Sequence, residues 1–70
     1  MPESELENSL KDHRARLNLT QAELATRVGV SRKTINTVEN GVFTPSATLA
    51  LKLARALGVP VEKIFSLRAA

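Results

Sequence analysis

Two helix-start signals, Thr20 and Ser31, stand on either side of a lone glycine, Gly29. That spacing leaves room for little except two short helices and a tight turn. Thr20 and Glu23 form a capping-box pattern, in which the hydroxyl accepts from the backbone N–H of residue 23 and the carboxylate reaches back. Leu24, Ala25 and Val28 then share one helical face, which predicts a helix over about 21–28. Gly29 can take the left-handed backbone that ends such a helix. Ser31 caps a further helix over about 32–40, with Ile35 and Val38 inward and Gly41 as its stop. Ala25 must be small where the two helices meet steeply, and Val30 plugs the space between them.

The flanking segments also read as helices. Leu6, Leu10 and Leu17 form the apolar stripe of a first helix over about 4–17, with His13 or Arg14 filling the gap. Ser4 is its expected N-cap, Glu5 and Glu7 suit the helix dipole, and Asn18 can end it. Val42-Phe43-Thr44-Pro45 is a short connector in which Phe43 serves as a plug for the loop or as a dimer contact. Pro45 or Ser46 opens a fourth helix carrying Leu49, Leu53, Ala54 and Leu57, which stops at Gly58. Pro60 starts a last one over about 61–66, with Val61, Ile64 and Phe65 apolar. No segment reads as a strand. The expected fold is all-α: a compact five-helix bundle in which helices 2 and 3 form a helix-turn-helix.

At 70 residues the chain is expected to be a single domain, 1–70, with residues 1–5 a flexible acidic N-terminus. Without cysteine, tryptophan or tyrosine, and with only 2 phenylalanines, its core must come from aliphatic packing. No apolar run approaches the roughly 20 residues of a membrane span, and the N-terminus lacks the basic and apolar regions of a signal peptide. A cytoplasmic protein is the resulting expectation. With 1 histidine, no cysteine, no Gly-rich phosphate loop and no paired carboxylates, there is nothing on which to build catalysis, a metal site or a cofactor site. His13 reads as a packing or surface residue.

The net charge is +3. Glu3, Glu5 and Glu7 sit at the N-terminus, so Asp12, Glu23, Glu39 and Glu62 alone face all 10 Lys and Arg in the remainder. A body this basic suits a polyanionic partner. The start of the third predicted helix offers Ser31, Arg32, Lys33, Thr34, Asn36 and Thr37, none of them apolar. Arg pairs bidentately with guanine, Asn with adenine, and Thr brings a hydroxyl and a methyl. Such a helix suits the major groove of double-stranded DNA, while Gln21 opens helix 2, whose N-terminus can hold a phosphate.

Thr20-Gln21-Ala22-Glu23-Leu24-Ala25, Val28-Gly29-Val30-Ser31, Ile35, Glu39-Asn40-Gly41 and Pro45 together resemble the Xre/Cro-type helix-turn-helix regulators, which include lambdoid phage repressor DNA-binding domains. The resemblance runs from about Leu10 to Phe65 and is nearest to short stand-alone members. It implies a DNA-binding transcriptional regulator, a homodimeric repressor on an inverted-repeat operator. It further implies that Arg32, Lys33 and Thr37 read bases, with Thr34 and Asn36 shared between base and phosphate. By the same token Gln21, Asn40 and the amides around Phe43 and Thr44 meet the DNA backbone, and Gln21 also braces the first residue of the recognition helix. Arg14 and Glu39 match a partly buried ion pair, and Val61, Ile64, Phe65 and Leu67 a dimer interface. With the sequence ending at Ala70, no effector domain is expected. The rival reading is an antitoxin-like protein-interaction module with secondary DNA binding.

Overall fold

The computed structural model describes residues 5–68. In order along the chain come β1 (Leu6–Asn8), α1 (Leu10–Arg16), α2 (Gln21–Val28), α3 (Arg32–Glu39), α4 (Ala47–Leu57), α5 (Val61–Ile64) and β2 (Phe65–Leu67). The five helices surround one aliphatic cluster in which Leu10, Leu24, Ile35, Leu53 and Val38 are sealed from solvent. Among the described residues no helix is long and apolar enough to cross a membrane.

The local signals at the centre of the chain operate as their chemistry demands. Thr20 Oγ1 accepts from Glu23 N at 3.0 Å, and Thr20 N donates to Glu23 Oε1 at 2.8 Å. That backbone donor, joined by the Thr20 side chain, holds the Glu23 carboxyl below its ordinary value. The lowered value means that the capping box is complete at neutral pH and weakens as acid protonates Glu23. Gly29 has φ 78°, and a Cβ added there would meet nothing within 4 Å. Its requirement is therefore conformational, not steric. Thr20→Ala is expected to lower the unfolding free energy by about 1 kcal/mol, read from urea denaturation. A variant as stable as the parent would show that the box contributes nothing.

The two ends of the chain depart from the sequence expectation. The first helix begins at Leu10, not near residue 4, and Ser9 stands at its N-cap. Ser4 lies outside the described residues. Residues 6–8 are instead a strand, paired antiparallel with residues 65–67 in the register Leu6↔Leu67, Glu7↔Ser66, Asn8↔Phe65. The last helix stops at Ile64 because Phe65 adopts extended backbone, φ −119° and ψ 139°. A two-stranded ribbon this short has little stability of its own. It exists because its neighbours hold it: Asn8 Nδ2 donates to the Val38 carbonyl at 2.9 Å, and Asn8 Oδ1 accepts from Leu10 N at 3.0 Å. Ser9 N donates to the Ile64 carbonyl at 2.8 Å.

Leu17 is 47% exposed, so it is not the third member of an apolar stripe. Asn18 turns the chain with φ 55°, and Leu19 takes the buried place instead. His13 ties α1 to α5: Nε2 lies 3.1 Å from the Lys63 carbonyl, which fixes it as the protonated nitrogen. Phe43 is 48% exposed and lies along an open groove with Val28, Val30 and Leu49, so it closes the loop only in part.

Candidate nucleic-acid interface

The two central helices are held apart by little more than Ala25, which is buried, and by Val30 in the turn, which packs against the core. Ile35 and Val38 fasten α3 from beneath. This arrangement leaves the first turn of α3 standing clear of the body. Arg32 and Lys33 are exposed, and among the described residues neither makes an ion pair. Ser31 caps the helix by accepting from Thr34 N at 3.1 Å, and its hydroxyl also meets Thr34 Oγ1 at 3.0 Å. Thr37 Oγ1 donates to the Thr34 carbonyl at 3.0 Å, so its hydrogen is committed while its lone pairs and methyl are not.

The far end of α3 is polar and internally bonded. Arg14 Nε donates to Glu39 Oε2 at 2.7 Å and Nη2 to Oε1 at 3.3 Å, while Nη1 reaches the Leu19 carbonyl at 2.8 Å. The two side chains are only 14% and 4% exposed. Gln21 Nε2 also donates to Glu39 Oε1, at 3.0 Å. Gln21 thus braces the last residue of α3, not the first as the resemblance implied. The resemblance also placed phosphates on the loop amides, but Val42 N and Phe43 N both donate to the Thr37 carbonyl, at 2.9 and 3.2 Å. They close the C-terminal end of α3, which leaves the exposed Thr44 as the loop position of the expected set.

Lys52 and Arg55 lie on α4. In the structure they join Arg27 along an open cleft of about 480 Å³ between α2 and α4. Periodicity gave no signal for this, because the cations come from two helices. Of the four residues expected at a dimer interface, Ile64 belongs to the core at 2% exposure and must be removed from that set. Val61 and Phe65 are half-buried against the core, and Leu67 is 77% exposed. Among the described residues no group of three or more His, Cys, Asp or Glu side chains is placed to hold a metal.

A tight α2–α3 turn with a polar, cationic and unpaired helix start defines a helix-turn-helix DNA-binding protein. Comparison with known proteins carries this further. The helix-turn-helix family model matches residues 10–64, and the chain belongs to that family, in its Xre/Cro-like branch. It is 50% identical over 60 residues to an uncharacterized HTH-type transcriptional regulator of Methanocaldococcus jannaschii, covering 86% of this chain and 91% of the relative. A second uncharacterized HTH-type regulator, from Bacillus subtilis, is 39% identical over 60 residues, with the same 86% and 91% coverage. Among solved structures, the restriction-modification controller protein C.AhdI of Aeromonas hydrophila aligns with a TM-score of 0.73 at 33% identity, covering 77% of this chain and 78% of that one. The P22 c2 repressor, solved with a synthetic operator, aligns with a TM-score of 0.73 at 30% identity, over 76% and 80% of the two chains. The protein is a DNA-binding helix-turn-helix transcriptional regulator.

Proposed function

We propose that this regulator is a homodimeric repressor that binds an inverted-repeat operator through the major groove. The observation carrying the reading is the unpaired cationic turn at Arg32 and Lys33, raised clear of the core on a helix fastened by Ile35 and Val38. Arg32, Lys33, Thr34 and Thr37 face base edges in this reading, and Arg32 suits the O6/N7 edge of a guanine. Ser31, Asn40, Thr44 and the N-terminus of α2 at Gln21 hold the sugar–phosphate backbone and set the register. Val61, Phe65 and the exposed Leu67 form the surface on which two copies pair, with the recognition helices about 34 Å apart. The likeness to a phage repressor solved with an operator supports this arrangement. Repression then follows from occupying a site that polymerase needs.

Selecting duplexes from a random pool at about 150 mM salt tests the proposal, since non-specific contacts weaken steeply with salt. Recovery of an inverted repeat with half-sites one helical turn apart is expected. Enrichment of no sequence would refute it. Arg32→Ala is expected to weaken binding to the selected duplex by about 1–3 kcal/mol and to relax preference at one base pair. An equal loss on every sequence would make Arg32 a phosphate anchor instead.

A further inference from the structure

We propose that Glu39 is a positioning residue whose charge sets the direction of a hydrogen-bond chain, Glu39–Gln21–Asn36–Asn40, and that Asn36 orients neighbouring amides instead of reading a base. The proposal rests on the DNA-reading role of α3 given above and reassigns one residue within it.

Side-chain amides are ordinarily ambiguous, because their O and N ends can be exchanged unless a neighbour decides. Here a neighbour decides. The Glu39 carboxylate, paired with Arg14, can only accept. Gln21 must therefore turn its NH₂ toward Glu39 Oε1, as observed at 3.0 Å. Its Oε1 is then left facing α3, where Asn36 Nδ2 approaches at 3.5 Å, a long contact of the right polarity. That orientation of Asn36 presents Oδ1 to Asn40, and Asn40 Nδ2 donates to it at 3.2 Å. Each link is dictated by the one before it, and the chain runs from the half-buried Gln21 and Asn36 to the exposed Asn40.

Two consequences follow from this direction. Reading adenine requires an Asn to offer its oxygen and its NH₂ together, whereas the Asn36 amide spends one lone pair on Asn40 and one hydrogen on Gln21 and is held in the orientation those two partners set. Conversely, Gln21, Asn36 and Asn40 each retain a second amide hydrogen, so this edge of the interface offers fixed donors suited to phosphate oxygens. The chain therefore links α1, through Arg14, to the orientation of the amides at the C-terminal end of α3, where Asn40 caps the helix.

The test combines binding with side-chain amide NMR. Asn36→Ala is expected to weaken binding to the selected duplex about tenfold, the scale of one or two net hydrogen bonds, with the preference at every base position kept. Loss of preference confined to a single A·T pair would overturn the assignment, because Asn36 would then be reading that base. Glu39→Gln, a neutral isostere, removes the rule that orients Gln21, and the amide resonances of Gln21 and Asn36 are expected to shift or double. Resonances unchanged in a folded Glu39→Gln protein would show that Glu39 does not direct the chain. Should that variant fail to fold, Gln21→Ala cuts the same chain and spares the ion pair. The Asn36 amide is then expected to move, and Gln21→Ala/Asn36→Ala to bind no more weakly than Gln21→Ala alone. Additive losses would break the link. Failure of the parent protein to favour any duplex would defeat the DNA-reading proposal, while the NMR comparison would still decide the chain.

Discussion

Glu39→Ala is expected to lower the unfolding free energy by about 3–5 kcal/mol, measured by urea denaturation followed by circular dichroism. Removal of the carboxylate strands the Arg14 guanidinium, which is only 14% exposed, and leaves Gln21 Nε2 without its acceptor. The cost is the desolvation of a charge that no longer has a partner, not merely the loss of a favourable contact. At about 0.05–0.15 kcal/mol per residue, a chain of 70 residues has roughly 4–10 kcal/mol in total, so much of the population would unfold. The mechanism also dictates the rescue. Arg14→Met in the same chain removes the stranded charge, and the double variant is expected to regain most of the lost stability. A single variant that loses less than about 1 kcal/mol would mean that water reaches and solvates Arg14.

Ile35→Ala is expected to lower stability by about 2–5 kcal/mol, the usual range for truncating a sealed aliphatic side chain. Ile35 is fully buried and lies on the underside of α3, opposite the residues assigned to DNA. Its loss therefore loosens the mounting of the recognition helix as well as the core. Leu53→Ala in α4 is the control, since Leu53 is equally buried but belongs to another helix. Both variants are expected to unfold at lower denaturant. When each is compared at equal folded fraction, Ile35→Ala is expected to bind the selected duplex more weakly than Leu53→Ala. Equal binding would show that α3 keeps its place without Ile35.

The parts of this fold that could be read directly are those governed by neighbours a few residues away. The Thr20–Glu23 box, the cap at Ser31 and the stops at Gly29 and Gly58 each depend on a hydrogen bond or a backbone angle within one helical turn. The apolar spacing of Leu24, Ala25, Val28, Ile35 and Val38 likewise identifies the buried faces of α2 and α3 before any contact is known. The exposed cationic start of α3 was legible for the same reason, since the inward faces of the helix determine its outward one.

What distant parts of the chain do to one another could not be read in this way. Leu6 fits a helical stripe as well as a strand, and only pairing with residues 65–67 decides between them. Leu17 and Leu19 are equally apolar, and the left-handed turn at Asn18 selects which one enters the core. Ile64 reads as available to a partner, but the packed helices bury it. Gln21 looked like a brace for the start of α3 until Glu39 drew its amide to the end. Capping and periodicity act within a turn of helix, whereas strand pairing, side-chain burial and the polarity of an amide depend on groups brought together from far apart. The helix-turn-helix and the cationic start of its second helix are thus written in local order along residues 20–40. The Arg14–Glu39 pair was legible only through the family resemblance, and the ribbon and the directed amide chain arise only when the helices pack.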